Sequence, residues 1–206
     1  MSNKERHRQI AYLNWEETYE GTAPEDLPWF SPTPDPDLLT ALDEYAPNPG
    51  FALDLGSGPG IHAIALAKRK WKVTAIDIAP GAARMARRFA KESGVDIDFI
   101  TADILAYRPK PASYDLVHDR GFLHTLHPSS WSRWVDVVAT ALKPGGLLIA
   151  KEFKYDPVRY YGPRGLRESE LRGILDARFA IMSMEKSRFL GRAIKPAALL
   201  LIARRV

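Results

Sequence analysis

The chain has 206 residues, a formal net charge of +4, 46% hydrophobic and 26% charged residues, and no cysteine. That length fits one domain with one sizeable core. The missing cysteines exclude disulfides, thiolate metal sites and a cysteine nucleophile, and no apolar run approaches the ~18 residues of a membrane span.

Residues 3 to 20 set Ile10, Leu13, Trp15 and Tyr19 among charges, the pattern of an amphipathic helix. Nothing apolar follows the opening Ser2-Asn3-Lys4-Glu5-Arg6-His7-Arg8 as a signal region would, which points to a cytoplasmic location. Pro24 to Pro36 then holds five prolines in thirteen residues, which forbids regular structure and predicts a stiff extended loop. Trp29 and Phe30 in its middle need the core or a ligand to pack on. A helix is expected from Asp37 to Tyr45, broken by Pro47 and Pro49. From Phe51 onward strands are expected at 51–55, 72–76, 97–101, 114–118 and 146–151. Helices at about 61–69, 81–93 and 129–142 lie between them. Strand and helix in alternation predict a doubly wound α/β sheet, mostly parallel. After a helix near 168–176, strands at about 179–188 and 197–204 share a short connection and should pair as a hairpin. The basic runs Lys68-Arg69-Lys70 and Arg84 to Lys91 fall on predicted helices and read as solvated faces rather than a nucleic-acid patch.

The stretch with the most chemistry is Leu53-Asp54-Leu55-Gly56-Ser57-Gly58-Pro59-Gly60, followed by Thr74-Ala75-Ile76-Asp77. An apolar strand enters a glycine-rich turn, a helix follows, and a second strand ends on an acid. Such glycines let backbone N–H groups approach a ligand, and the helix starting near Ile61 turns its partly positive end toward the same place. Asp77 falls where an acceptor for ribose hydroxyls is expected. The pattern predicts an adenosine-containing cofactor. A nicotinamide site would want its third glycine at the sixth position of the loop, where Ile61 stands.

The chain resembles the class I S-adenosylmethionine-dependent methyltransferases over roughly residues 50 to 205. Leu53 to Gly60 is similar to the family's first motif, and Asp77 to the acid that grips both ribose hydroxyls. Thr101-Ala102-Asp103-Ile104 resembles the segment whose Asp reaches the adenine amino group. Tyr114 to Gly121 is similar to the fourth motif, and Leu142-Lys143-Pro144-Gly145-Gly146-Leu147-Leu148 to the turn before the fifth strand. The resemblance implies a single Rossmann-like domain with a reversed last strand: residues 1–48 as N-terminal helix and lid, 49–206 as core. It implies S-adenosyl-L-methionine as cofactor, held by Trp29, Asp54, Gly56, Ser57, Gly58, Gly60, Asp77, Ile78, Asp103, Ile104 and Asp119. Ile78 and Ile104 would cover the two adenine faces. Asp103 could equally be a helix cap or turn residue.

Asp119-Arg120-Gly121 lacks the Pro-Pro of enzymes that methylate base or amide nitrogens, and resembles the thiopurine S-methyltransferase and tellurite-resistance branch. Trp15, Tyr19, Pro28 and Trp29 match that branch's N-terminal helix and Pro-Trp loop loosely. The resemblance implies a small-molecule acceptor, no nucleic-acid or membrane partner, no metal, and a monomer or homodimer. His124, Asp119 and Arg120 are the catalytic candidates, His124 first as a base, with His127 also near the fourth strand's end. A packed or solvated loop histidine is the alternative. Arg120 could bind an anionic acceptor or pair with Asp119 or Glu152. Phe30, Arg120, His124, Glu152, Tyr155 and Tyr160 are the expected acceptor contacts. A protein of this fold that binds the cofactor without transferring methyl remains the alternative function.

Overall fold

The computed structural model describes residues 14–46, 48–157, 163–190 and 195–206. Five strands run parallel: β1 (Phe51–Leu55), β2 (Lys72–Asp77), β3 (Asp98–Thr101), β4 (Tyr114–Arg120) and β5 (Leu142–Phe153). Two more, β6 (Phe179–Arg188) and β7 (Ala197–Arg205), form an antiparallel hairpin, and β7 lies antiparallel to β5. The sheet order is β3-β2-β1-β4-β5-β7-β6. This is the doubly wound, mostly parallel α/β sheet with a reversed last strand that the alternation of elements predicts.

The helices are α1 (Trp15–Glu20), α2 (Pro36–Tyr45), α3 (Ile61–Lys68), α4 (Pro80–Glu92), α5 (Trp131–Ala141) and α6 (Glu168–Leu175). Successive strand side chains point to opposite faces, and both faces are covered, so the central strands read as continuous apolar runs. Leu38 and Leu42 of α2 and Leu66 of α3 pack with Ala52, Leu116 and Ile149. Trp134 and Val138 of α5 and Leu171 of α6 pack with the alternate set, Leu53, Val117 and Leu148. A third cluster joins Tyr19 of α1 and Leu27 to Ala79 and Ala82 at the start of α4.

The expected bounds of the elements agree with the observed ones, with three exceptions. Strand β5 begins at Leu142 rather than at 146, because the turn around Gly145 (φ 77°) is absorbed as an irregularity. The partner of Tyr114 is Leu142, and that of Leu116 is already Leu147. The proline-rich segment is not wholly irregular: Pro24–Asp26 forms a 3₁₀ turn, since the fixed φ of Pro24 suits a first helical position. The N-terminal helix is described only from Trp15, and the expected contributions of Ile10 and Leu13, like the break at Pro47, fall outside the described residues.

Leu116 is fully buried at the centre of the sheet. Leu116→Ala is expected to lower the unfolding free energy by about 2–5 kcal/mol, measured by urea denaturation.

Candidate active site

The site lies where β1, β2, β4 and β5 end, the edge at which open α/β sheets bind ligands. The loop after β1 turns on itself through Gly60 N–H to the Ser57 carbonyl (2.9 Å), while Ser57 N–H donates to the Ile76 carbonyl (3.0 Å). Gly60 is left-handed (φ 78°), and a Cβ there would lie 2.9 Å from Cβ of Ala86 on α4. Only glycine allows both the turn and that helix contact. No side chain caps the first turn of α3, so its amides stay open toward the loop. Asp77 fastens the loop from the neighbouring strand: its carboxylate accepts Gly58 N–H (2.8 Å) and Ala79 N–H (2.9 Å). Burial and the nearby Asp54 raise its pKa, while these amide bonds pull against the rise.

Asp54 and His118 lie side by side in register on β1 and β4. Asp54 Oδ1 is 2.7 Å from His118 Nδ1, and Asp54 Oδ2 is buried with no partner among the described residues. His62, opening α3, stacks obliquely against His118 at 5.3 Å. Its Nε2 accepts Asp35 N–H (3.1 Å), so that nitrogen carries no proton. Burial, with Arg120, His118 and Lys151 nearby, holds the His62 pKa far below the usual histidine value.

Over the glycine loop sits Tyr19, a residue absent from the expected set. Its hydroxyl lies 2.9 Å from where a Gly58 Cβ would be, and it accepts the Trp29 indole N–H (3.0 Å). Trp29 packs edge-on to Tyr19 and Trp15. Burial and the Asp77 charge push the Tyr19 pKa up, so the hydroxyl keeps its proton. The available signal in the sequence was the four-residue spacing of Trp15 and Tyr19, which puts both on one helix face. Glu16 of the same helix accepts Gly81 N–H (2.8 Å) at the start of α4 and pairs with Arg84.

The other side of the site is built at the ends of β4 and β5. His124 Nδ1 lies 2.7 Å from Glu152 Oε2, which also accepts the His124 backbone N–H (3.0 Å). Phe153 stacks on the imidazole at 4.1 Å, and Phe189 meets it edge-on at 5.9 Å. Glu152 is fully buried, which pushes its pKa up to about 8. Burial and the Glu152 charge likewise raise Asp119 well above the ordinary carboxylate value.

Several expected roles change on these contacts. Asp119, expected in catalysis and at the cofactor, is fully enclosed and spends its oxygens on Phe122 N–H (2.8 Å), Leu123 N–H (3.3 Å) and the Trp134 indole (2.8 Å). It shapes the turn that carries His124. Arg120 pairs with neither Asp119 nor Glu152. Alternation along β4 turns it to the opposite face, where it meets Asp35 (2.9 Å). Phe30, expected at the acceptor, packs on Phe89 of α4 (6.3 Å), because the turn closed by Phe30 N–H to the Leu27 carbonyl throws its ring that way. Ile104, expected on an adenine face, is core, whereas Ile78 is half exposed beside Asp77. Asp103 is exposed and closes a turn by accepting Leu105 N–H (2.9 Å). His127 is an exposed turn cap bonded to Ser129. Tyr155 stands against the guanidinium groups of Arg167 (3.9 Å) and Arg164 (5.3 Å). Tyr160 lies outside the described residues.

A methyltransferase-domain family model matches residues 52–146, from β1 through the turn inside β5. A 2-heptyl-1-hydroxyquinolin-4(1H)-one methyltransferase of Mycobacteroides abscessus is 27% identical over 84% of this chain and 79% of its own. A ubiquinone biosynthesis O-methyltransferase of Methylocella silvestris is 38% identical over 52% of this chain, though the match spans only 43% of that relative. The Burkholderia thailandensis 1,6-didemethyltoxoflavin-N1-methyltransferase superimposes with a TM-score of 0.77 over all of this chain and 91% of its own, at 19% identity, a likeness of fold. These matches support a class I S-adenosylmethionine-dependent methyltransferase.

The residues of this methyltransferase fit the donor its family uses. A Cβ at Gly58 would crowd the Tyr19 hydroxyl, the open amides of α3 suit a carboxylate, and the orphaned Asp54 Oδ2 can take an ammonium proton directly or through water. Each Asp77 oxygen keeps lone-pair capacity beyond its amide bond. Among the described residues no helix is long and apolar enough to cross a membrane, and no group of acids and histidines could hold a metal ion.

Asp77→Ala is expected to weaken S-adenosylhomocysteine binding by about 1–3 kcal/mol in a folded protein, read by calorimetry. Glu152 binds a proton in the folded chain up to about pH 8, whereas the unfolded chain releases it near 4.5. Its contribution to stability is therefore greatest below pH 4.5 and is lost as pH rises toward 8. Glu152→Gln should gain stability relative to the parent between pH 5.5 and 7.5, compared by urea midpoints at both values.

Proposed function

We propose that this methyltransferase moves the methyl group of S-adenosylmethionine to an oxygen or nitrogen of a small aromatic molecule, with His124 as the group that takes the acceptor's proton. The observation that carries this reading is the pairing of His124 with the buried Glu152 at the sheet edge beside the glycine loop. When bound, the donor supplies a methyl already activated by a positive sulfur. The protein's share is alignment and proton removal. Holding acceptor and methyl in line contributes about 7–11 kcal/mol in well-oriented pairs.

A hydroxyl or N–H acceptor must lose a proton, and a base whose pKa lies near the working pH does this most effectively. Taking that proton needs an unprotonated Nε2 on His124, hence a proton on Nδ1 held by ionised Glu152. Glu152 fixes the plane of the imidazole, and its pKa of about 8 brings this arrangement within reach as pH rises, in place of the one in which Nδ1 accepts Phe153 N–H (3.1 Å). Phe153 and Phe189 flank the same ring and offer flat apolar walls for a planar acceptor. The relatives named for a hydroxyquinolinone and for ubiquinone biosynthesis point the same way. In this reading residues 1–206 work as one unit, and the segment before β1 acts as a lid. The protein acts on a small molecule rather than nucleic acid, in the cytoplasm, as a monomer or homodimer. Asp77, Asp54, Trp29, Tyr19 and the loop glycines hold the donor, with Asp103 and Ile78 at the adenine.

The test is turnover with a panel of phenols and hydroxylated heteroaromatics, followed by mass gain. His124→Gln is expected to lower kcat by about 10²–10⁴-fold, with S-adenosylhomocysteine affinity unchanged. A variant that keeps near-parental turnover removes His124 from the mechanism.

A further inference from the structure

Arg120 and Lys151 face each other in register at the ends of β4 and β5. Two neighbouring cations at the ligand edge of a sheet would by themselves make a seat for an anion. That seat is filled from within the chain. Asp35 arrives from the proline-rich segment and accepts from Arg120 Nε at 2.9 Å. Both of its oxygens lie 2.8 Å from Lys151 Nζ. Asp37 completes the neutralisation at 2.8 Å from the same Nζ, and it also accepts the Ser187 hydroxyl. Asp35 is 3% exposed, its N–H is fixed by His62, and its carboxylate also takes Asp37 N–H at the start of α2. Burial alone would raise its pKa, but the bonds from Lys151 and Arg120 outweigh that and hold the carboxyl below the usual range. Two acids and two bases therefore cancel.

Phe189 closes the cluster on the other side. Its ring lies 4.8 Å from the Arg120 guanidinium and 5.6 Å from Lys151 Nζ, and its edge faces His124. An acceptor lying against His124 and Phe153 thus meets aromatic carbon, with both cations already satisfied behind it.

We propose that Asp35 is a specificity-determining residue: its carboxylate occupies the seat that Arg120 and Lys151 would offer an anion, and so restricts this site to uncharged planar acceptors. The proposal rests on the methyltransferase reading above and names the acceptor class within it. It makes discrimination a matter of denying a charged competitor its partner.

The experiment compares catechol with 3,4-dihydroxybenzoate, which differs by one carboxylate. Methyl transfer from S-adenosylmethionine gives kcat/KM for each, and calorimetry on protein saturated with S-adenosylhomocysteine gives the binding of each. The parent protein should favour the uncharged molecule by about tenfold or more, the scale of one lost charged contact. Asp35→Asn should shrink or reverse that ratio by about tenfold, through a lower KM for the carboxylate, and Asp35→Glu should restore it. A folded Asp35→Asn that keeps the parental ratio overturns the proposal, as does a parent that prefers the carboxylate. Should Asp35→Asn not fold, the parental preference alone decides. Absence of transfer to either molecule, with S-adenosylhomocysteine still bound, counts against the catalytic reading, while the two binding constants still decide the acceptor preference.

Discussion

Two adjacent strands end on charge, and much of the site follows from how that charge is sorted. Asp119 and Arg120 close β4, and Lys151 and Glu152 stand near the end of β5. The two-residue period of a strand sends the cations to one face and the acids to the other. Like charges on neighbouring strands repel and lose hydration when buried, so each pair needs its own remedy. The cations draw in Asp35 and Asp37 from the segment before β1. Among the described residues neither acid forms an ion pair with a lysine or arginine. They are relieved by N–H donors from the Phe122–His124 turn and the Trp134 indole, and by raised pKa values. One remedy fastens the proline-rich segment over the sheet edge, and the other builds the turn that presents His124.

The segment before β1 is consequently pinned at both ends. Glu16 caps the otherwise uncapped start of α4, and Arg84 reaches back to Glu16 and Glu20. Asp35 anchors the far end at β4 and β5. Between these points Tyr19 rests against the glycine loop, and Trp29 packs on Tyr19. Prolines keep the intervening chain stiff, so its two anchors are mechanically linked. The donor side and the acceptor side of the edge are spanned by one short piece of chain.

The sheet was legible because its signals are local. Glycines at 56, 58 and 60, the acid ending β2, the Pro144-Gly145-Gly146 turn and the final hairpin each declare themselves within a few residues. Asp77 stands at the strand end where the sequence put it, while its bonds to Gly58 and Ala79 N–H, which fasten the loop, carry no signal of their own in the sequence. The site was less legible where a role depends on a distant partner. The ion pair of Arg120 with Asp35 joins residues 85 apart in the chain, and no spacing rule connects them. Asp119 and Arg120 are sequence neighbours, yet the strand separates their side chains, so proximity in the chain misled. Phe30 and Ile104 were misplaced because apolar side chains serve core and ligand equally well, and only the packing decides between them.

Stability alone does not account for the Asp35 cluster. Buried ion pairs recover little more than their desolvation, and apolar replacements of similar volume are often as stable. A leucine or methionine set beneath Phe189 would have filled the same space. What such a set would not supply is the Asp35 carboxylate that satisfies Arg120 and Lys151 beside the unprotonated His62. Burial, helped by the neighbouring cations, keeps His62 neutral, and Asp35 keeps those cations from drawing an outside anion. The cluster therefore isolates two electrostatic problems from each other. The proton chemistry stays with His124 and Glu152, and the face that Phe153 and Phe189 present to an acceptor is left to shape and apolar contact.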